Sequence, residues 1–253
     1  YKGAPKKNWI VFYPIEKLFS RITDKIITIT AEDYRLAQQK FHCHIERIHG
    51  VGVDEKRYFP VNEDEKQELR TRMGFDKEQK LILCTGELLL NKNQTMAIKM
   101  MKNVIKQYPT SQLLLAGNGP QKEQLEQVVT EYGLNKCVQF LGYVTNLQEY
   151  QHIVDIAVSC SKREGLPLNI VEAMLSGTPV VATMNRGHRE LIKDGENGCL
   201  VPIDDSANMS ECICRLFSSD KEYVRIRDNA EKSAKNYGFV NVKKELEKLY
   251  FSK

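Results

Sequence analysis

I-A-V-S-C-S-K-R-E-G-L-P-L-N-I-V-E-A-M-L-S-G-T-P-V-V-A, residues 156–182, is the stretch on which the fold turns. An apolar run at 156–159 leads into a polar loop, a helical pattern at 168–176 and a second β-branched run at 180–182. Two short apolar strands joined through a helix read as a parallel crossover, since antiparallel neighbours need only a tight turn. Pro167 suits the first helical turn, where its missing N–H costs nothing. The amides of Leu168, Asn169 and Ile170 then point outward as an anion site, aided by the helix dipole.

Working outward, the same alternation repeats. Helices are expected at 62–73, 92–107, 121–132 and 147–152, with strands at 81–85, 112–116 and 138–141. A helical turn at 190–192, a short strand at 198–201 and amphipathic helices from about 206 to 253 follow. The pattern predicts an α/β fold with a doubly wound parallel sheet, whose ligands bind at the carboxyl ends of the strands. Upstream, 26–30 and 44–48 read as strands and 31–41 as a helix; Pro14 should kink or break any helix within the aromatic-rich stretch 8–22. Gly50-Val-Gly-Val-Asp54 is a glycine-flanked loop suited to a hinge or crossover.

The 253 residues can hold one large α/β domain or one domain and part of another. A net charge of +4, from 37 basic and 33 acidic residues without a basic tract, argues against a nucleic-acid partner. Lys2, Lys6 and Lys7 form the nearest thing to a cluster. Seven cysteines without a C-x-x-C pair, several inside apolar runs, read as reduced core residues of a cytoplasmic protein. His42 and His44 flank Cys43, but with no further ligands near them in sequence they are read as surface or packing residues. No stretch approaches the ~20 apolar residues of a membrane span. The opening Tyr-Lys-Gly-Ala-Pro, without an initiator Met, is expected to belong to the middle of a longer protein.

Five loops follow predicted strands. Glu164 stands on the loop before the 168–176 helix, and Glu172 about one turn into it. A phosphate on the amides, with hydroxyls of neighbouring sugars on the two carboxylates, would suit a nucleotide-sugar. Taken alone, the two read as a helix-start carboxylate and a solvated surface charge; the other loops argue against that. After 81–85, Gly86 and Glu87 lead to Lys92, a mobile cation able to reach a diphosphate. Gly117-Asn118-Gly119-Pro120 lacks the third glycine of a nicotinamide-cofactor fingerprint. Gly142-Tyr143-Val144 is placed to bracket a flat base. In the last loop, Arg186, His188 and Arg189 are candidates to face an anion, while Glu190 starts a helix.

In order, the chain carries G-V-G-V-D at 50–54, G-E-L-L-L-N-K-N at 86–93, L-L-L-A-G-N-G-P at 113–120 and V-Q-F-L-G-Y at 138–143. E-G-L-P-L-N-I-V-E-A-M-L-S-G-T-P-V-V-A-T at 164–183 and D-G-E-N-G-C-L-V at 194–201 complete the series. Over residues 44–203 it resembles the donor-binding half of a family-4 retaining glycosyltransferase of GT-B architecture, most of all bacterial members that build capsular or exopolysaccharides. The resemblance implies that Glu164 contacts the donor sugar, Glu172 holds the ribose hydroxyls, Lys92 neutralises the diphosphate and the amides around Leu168 and Asn169 form the phosphate cradle, with Gly165, Leu166 and Pro167 also donor-binding. Glu87 departs from the pattern: most relatives carry an arginine there, so Arg186 or Arg189 must substitute or leaving-group stabilisation is weaker.

The resemblance further implies a domain remnant at 1–50 from the acceptor-binding half, a donor-binding domain at 51–236, and a helix at 237–253 that packs back toward the first. The histidine that such acceptor domains usually supply is expected upstream of Tyr1, so the fragment should bind donor poorly and not turn over alone. The implied reaction is hexosyl transfer from a nucleoside diphosphate, UDP by default, to a glycan or lipid-linked saccharide, without cofactor or metal. It is expected in the cytoplasm, with peripheral contact at the inner membrane face through 9–19 as a secondary option. A nucleotide-sugar 2-epimerase and a non-catalytic binding fragment remain as alternatives.

Overall fold

The structure is a computed structural model that describes residues 6–251, with side chains from Ile10 onward. Lys2 lies outside the described residues, as do the side chains of Lys6, Lys7 and Trp9. The elements run α1 (Lys6–Phe19), β1 (Lys25–Thr28), α2 (Ala31–Lys40), β2 (His44–Arg47), α3 (Glu63–Arg72), β3 (Leu81–Thr85), α4 (Gln94–Gln107), β4 (Gln112–Ala116), α5 (Lys122–Glu131) and β5 (Val138–Gly142). Then come α6 (Leu147–Ile153), β6 (Ile156–Ser159), α7 (Leu168–Leu175), β7 (Val180–Thr183), α8 (Arg186–Leu191), β8 (Cys199–Val201), α9 (Ser206–Ser218), α10 (Asp220–Ala234) and α11 (Phe239–Phe251).

The chain divides into two units, residues 1–52 with 240–253, and residues 53–239. In the first, β1 and β2 pair in parallel with Lys25 opposite His44. Glu245 of α11 accepts from the His49 amide at 2.8 Å. Contrary to expectation, α1 runs through Pro14 without a break. Proline removes only the bond to the Ile10 carbonyl, and that part of α1 is exposed, so water can satisfy the oxygen.

In the second unit, six parallel strands take the order β5-β4-β3-β6-β7-β8. Strands β3, β6 and β7 read as unbroken apolar runs because both faces are covered. Their side chains alternate: Ile82, Cys84, Val158 and Val181 enter one cluster with Met100 of α4 and Ile213 of α9. Leu81, Leu83, Ala157 and Val180 point the other way, to clusters that take in Ile153 of α6, Val171 of α7 and Leu191 of α8. Chain order runs outward from β3 to β5, then returns to β6 and runs out to β8. The crevice between the carboxyl ends of β3 and β6 is therefore the switch point of the sheet.

Two boundaries shift from the sequence expectation. Helix α4 starts at Gln94 because Asn93 is left-handed (φ 55°). Helix α8 starts at Arg186, earlier than the expected turn at 190–192, because the Asn185 side chain caps the His188 amide. All seven cysteines are free thiols. Among the described residues no helix is long and apolar enough to cross a membrane.

At the amino-terminal edge of the sheet, Asp155 takes a bidentate contact from Arg70 Nη2 at 2.9 Å and a bond from Lys66 Nζ at 2.8 Å. It also accepts from the Leu81 amide at 2.8 Å, which ties α3 to β3 and β6. Burial pushes its carboxyl upward, but the Lys66 and Arg70 charges outweigh that and hold it below the ordinary 3.8. Its stabilisation is thus fully present above the unfolded value and is lost as pH falls through the lower folded one. We expect Asp155→Asn to cost about 3 kcal/mol in urea unfolding at pH 7, leaving the buried Arg70 and the half-buried Lys66 short of a partner. The gap to wild type should narrow as the pH drops from 4 toward 2.

Candidate functional site

The loops after β3 and β6 meet across the switch point. Lys92 Nζ lies 2.6 Å from Glu164 Oε1. The lysine reaches there by lying over Gly86, where an added methyl would sit 3.6 Å from its Cε. Asn169, at the start of α7, donates from Nδ2 to the Thr85 carbonyl at 3.2 Å. Asn91 completes the stitching: its carbonyl accepts from the Lys162 amide at 2.8 Å, and its side chain donates to the Arg163 carbonyl at 2.9 Å.

The start of α7 differs in detail from expectation. Pro167 is the cap residue (φ −78°, ψ 100°), one position before the helix. The Ile170 amide turns back to the Pro167 carbonyl at 3.1 Å, so the three-amide anion site reduces to Leu168 and Asn169. Pro167 is buried, and Leu166 and Leu168 pack half-buried against the core beneath.

Gly86, Glu87, Asn118, Tyr143 and Val144 gather around a cavity of about 360 Å³ at the ends of β3, β4 and β5. Its floor depends on backbones touching. A methyl on Gly117 would lie 2.0 Å from the Gly86 carbonyl oxygen, and one on Gly119 2.4 Å from that of Leu88. Gly117 donates to the Gly142 carbonyl at 2.8 Å, and Leu88 to that of Asn118 at 2.9 Å. Glu87, Asn118 and Tyr143 are exposed at the rim.

His188 is a correction. Expected to face an anion, it is completely buried (0 % exposed) under the β6–α7 loop. Its Nδ1 contacts the Thr183 carbonyl, which can only accept, so that nitrogen carries the proton. Nε2 then accepts from the Ser159 hydroxyl at 3.0 Å. Burial, against the Thr183 bond, pulls the ring down to about 4, so it offers no cation near neutral pH. Arg186 is half-buried and Arg189 exposed on α8. The preceding glycine contributes instead: a methyl on Gly187 would lie 2.5 Å from the Gly165 carbonyl oxygen and 2.7 Å from Glu164 Cβ. Helix α8 is thus the bed on which Glu164 rests.

Glu172 is half-buried, and its partner was not legible in the sequence. Tyr58, 8 % exposed on the turn after Val53, packs with Ile170, Val171 and Ala173 of α7 and acts on the Glu172 carboxyl. Burial raises Glu172 to about 7 against the lowering pull of Tyr58 and Arg57. Tyr58, Asn91, Ser159 and Gly187 follow no periodicity that would single them out. Only Asn185, a cap residue, had a local signal.

A parallel sheet of this order, with a cation–carboxylate pair at its switch point and glycine-floored loops beside it, defines a doubly wound α/β protein with its candidate site at the carboxyl ends of the strands. Residues 65–233 match the family of glycosyl transferases group 1, and the chain belongs to that family. It is 36% identical over 251 residues to the putative glycosyltransferase EpsD of Bacillus subtilis, covering 98% of this chain and 66% of that one. With mannosylfructose-phosphate synthase of Agrobacterium fabrum it shares 27% over 91% of its length and 53% of the relative's. The chain thus spans about half to two thirds of these relatives. Among solved structures, Anabaena Alr3699/HepE in complex with UDP and glucose superposes with a TM-score of 0.85 at 23% identity, over 100% of this chain and 69% of that one. Sucrose-phosphate synthase from Thermosynechococcus elongatus gives 0.82 at 23%, over 95% and 61%. The fold is the Rossmann-like, doubly wound sheet of GT-B glycosyltransferases.

Two measurements probe this arrangement. Gly187→Ala should destabilise the protein by about 1–3 kcal/mol through overpacking, and a crystal structure of the variant should show Glu164 displaced from Lys92. By NMR, the His188 ring should stay neutral down to about pH 4, far below an ordinary 6.5. Because the unfolded ring takes up a proton first, its contribution, present above 6.5, is lost as pH falls from 6.5 toward 4.

Proposed function

We propose that this chain is the donor-binding part of a family-4 retaining glycosyltransferase. It moves a hexosyl group from a nucleoside diphosphate, UDP by expectation, to a glycan or lipid-linked saccharide of a surface polysaccharide. The observation that carries this is the Lys92–Glu164 pair across the switch point, beside the Leu168 and Asn169 amides. A lysine ammonium has three donors, so Lys92 can hold Glu164 and still meet a diphosphate, with the amides taking the remaining charge. Glu164 is then anchored to meet the hexose, Glu172 serves the ribose, and the cavity at Gly86, Asn118 and Tyr143 is of a size and polarity for the base.

The family supports transfer chemistry, and the solved HepE complex with UDP and glucose supports the donor class. On this reading residues 51–236 bind donor, residues 1–50 belong to the acceptor-binding half, and 237–253 packs toward that half. On the same reading the protein works in the cytoplasm, with contact at the inner membrane face a secondary option, and requires no cofactor or metal. Glu87 stands where most members of the family it resembles carry an arginine, so either Arg186 or Arg189 joins Lys92 on the departing diphosphate or leaving-group stabilisation is weaker.

Removing one such stabiliser typically costs about 3 kcal/mol in the barrier. In the complete enzyme, Lys92→Ala should therefore cut turnover about a hundredfold. A variant within twofold of wild type would remove Lys92 from the mechanism. A product assay tests the reaction itself: an epimerised sugar nucleotide released without acceptor would overturn transfer.

A further inference from the structure

Among the described residues, Asn93 and Asp204 are the only ones besides glycine with left-handed backbones, at φ 55° and 65°. They stand 111 positions apart in the chain, yet their side chains meet: Asn93 Nδ2 donates to Asp204 Oδ1 at 2.9 Å. The same nitrogen reaches the Cys160 carbonyl at 3.3 Å, and Lys162 Nζ lies 3.3 Å from Asp204 Oδ2. The loops after β3, β6 and β8 thus close on one amide and one carboxylate.

Neither side chain serves its own helix. Asn93 precedes α4, where an asparagine ordinarily accepts from the first amides of the helix, but it makes no such bond. At α9 the capping falls to Asp205, which accepts from the Asn208 amide at 3.0 Å and leaves Asp204 over. A left-handed backbone is disfavoured for any residue with a Cβ, least so for Asn and Asp. Such a conformation persists where surrounding contacts fix it, and here the Asn93–Asp204 bond does so.

The turn at Asn93 decides where Lys92 goes. The amides of Lys92 and Asn93 both return to the Leu89 carbonyl, at 2.9 and 3.2 Å. Behind them α4 is anchored in the core by Met96, Ile98 and Met100. A change of backbone at Asn93 therefore moves the residue before it, whose side chain crosses Gly86 to reach Glu164.

We propose that Asp204 is a positioning residue: it holds Asn93 left-handed and thereby aims the Lys92 ammonium into the switch point. This rests on the reading of Lys92 as a cation for the departing diphosphate. Lys162 and Asp204 are exposed, so their ion pair adds little, and the bond from Asn93 carries the effect.

The test is steady-state kinetics of the complete enzyme, following UDP release from UDP-glucose, UDP-galactose and UDP-N-acetylglucosamine, together with crystal structures of the variants. Asp204→Gly removes the carboxylate but suits a left-handed backbone, so the melting temperature should hold. Its kcat should fall about tenfold while the donor KM stays within about twofold, since Lys92 acts on charge that develops in the transition state. The structure should show Lys92 Nζ withdrawn from Glu164. Asp204→Asn keeps an oxygen for Asn93 and tolerates the left-handed region, so it should remain within about twofold of wild type. Added to Lys92→Ala, Asp204→Gly should cost less than about twofold, because the lysine it aims is gone.

Wild-type kcat in Asp204→Gly, an equal loss in Asp204→Asn, or a full tenfold loss on top of Lys92→Ala would overturn the proposal and leave the donor reading standing. So would a Lys92–Glu164 contact unchanged in the Asp204→Gly structure. Absence of UDP release from all three donors would instead overturn the UDP reading of the proposed function, and that structure would still decide what aims Lys92.

Discussion

A parallel sheet buried on both faces leaves no face for chemistry. With α4 and α9 on one side of β3 and β6 and α6, α7 and α8 on the other, ligand contacts are confined to the loops at the carboxyl ends. The strand order opens those loops apart at one place, between β3 and β6, because the connections leave in opposite directions there. Lys92, Glu164 and Asn169 all reach into that gap. The location of the site follows from connectivity before any side chain is considered.

Close approach then sets the geometry within the gap. Two loops touch backbone to backbone where Gly117 meets Gly86 and Gly119 meets Leu88, and α8 presses Gly187 on the Glu164 loop. These contacts leave no room for a side chain, so the loops cannot drift independently. Beneath them His188 is neutral and fully hydrogen-bonded, which suits a rigid support better than a ligand contact. The two glutamates end in different electrostatic settings: Glu164 is matched by a lysine, whereas Glu172 has a phenol and partial burial.

Strands β3, β4 and β6 lie where the apolar runs placed them, since a segment buried on both faces must be apolar throughout. The ends of helices were less legible. The start of α4 is set by a left-handed asparagine and that of α8 by a capping side chain, both of which depend on loops folding first. Pro14 misled because a proline in a largely exposed helix forfeits one hydrogen bond that water can replace.

The sequence by itself determined the alternating α/β pattern, the sheet class and the glycine and carboxylate positions of the loops, because periodicity and turn chemistry are local. Only the tertiary structure decided which of those residues meet. It joined Lys92 to Glu164 across 72 residues, brought Tyr58 to Glu172, and turned His188 from a presumed anion contact into a buried support. Partners so far apart along the chain are chosen by strand order and close packing, which no window of sequence contains.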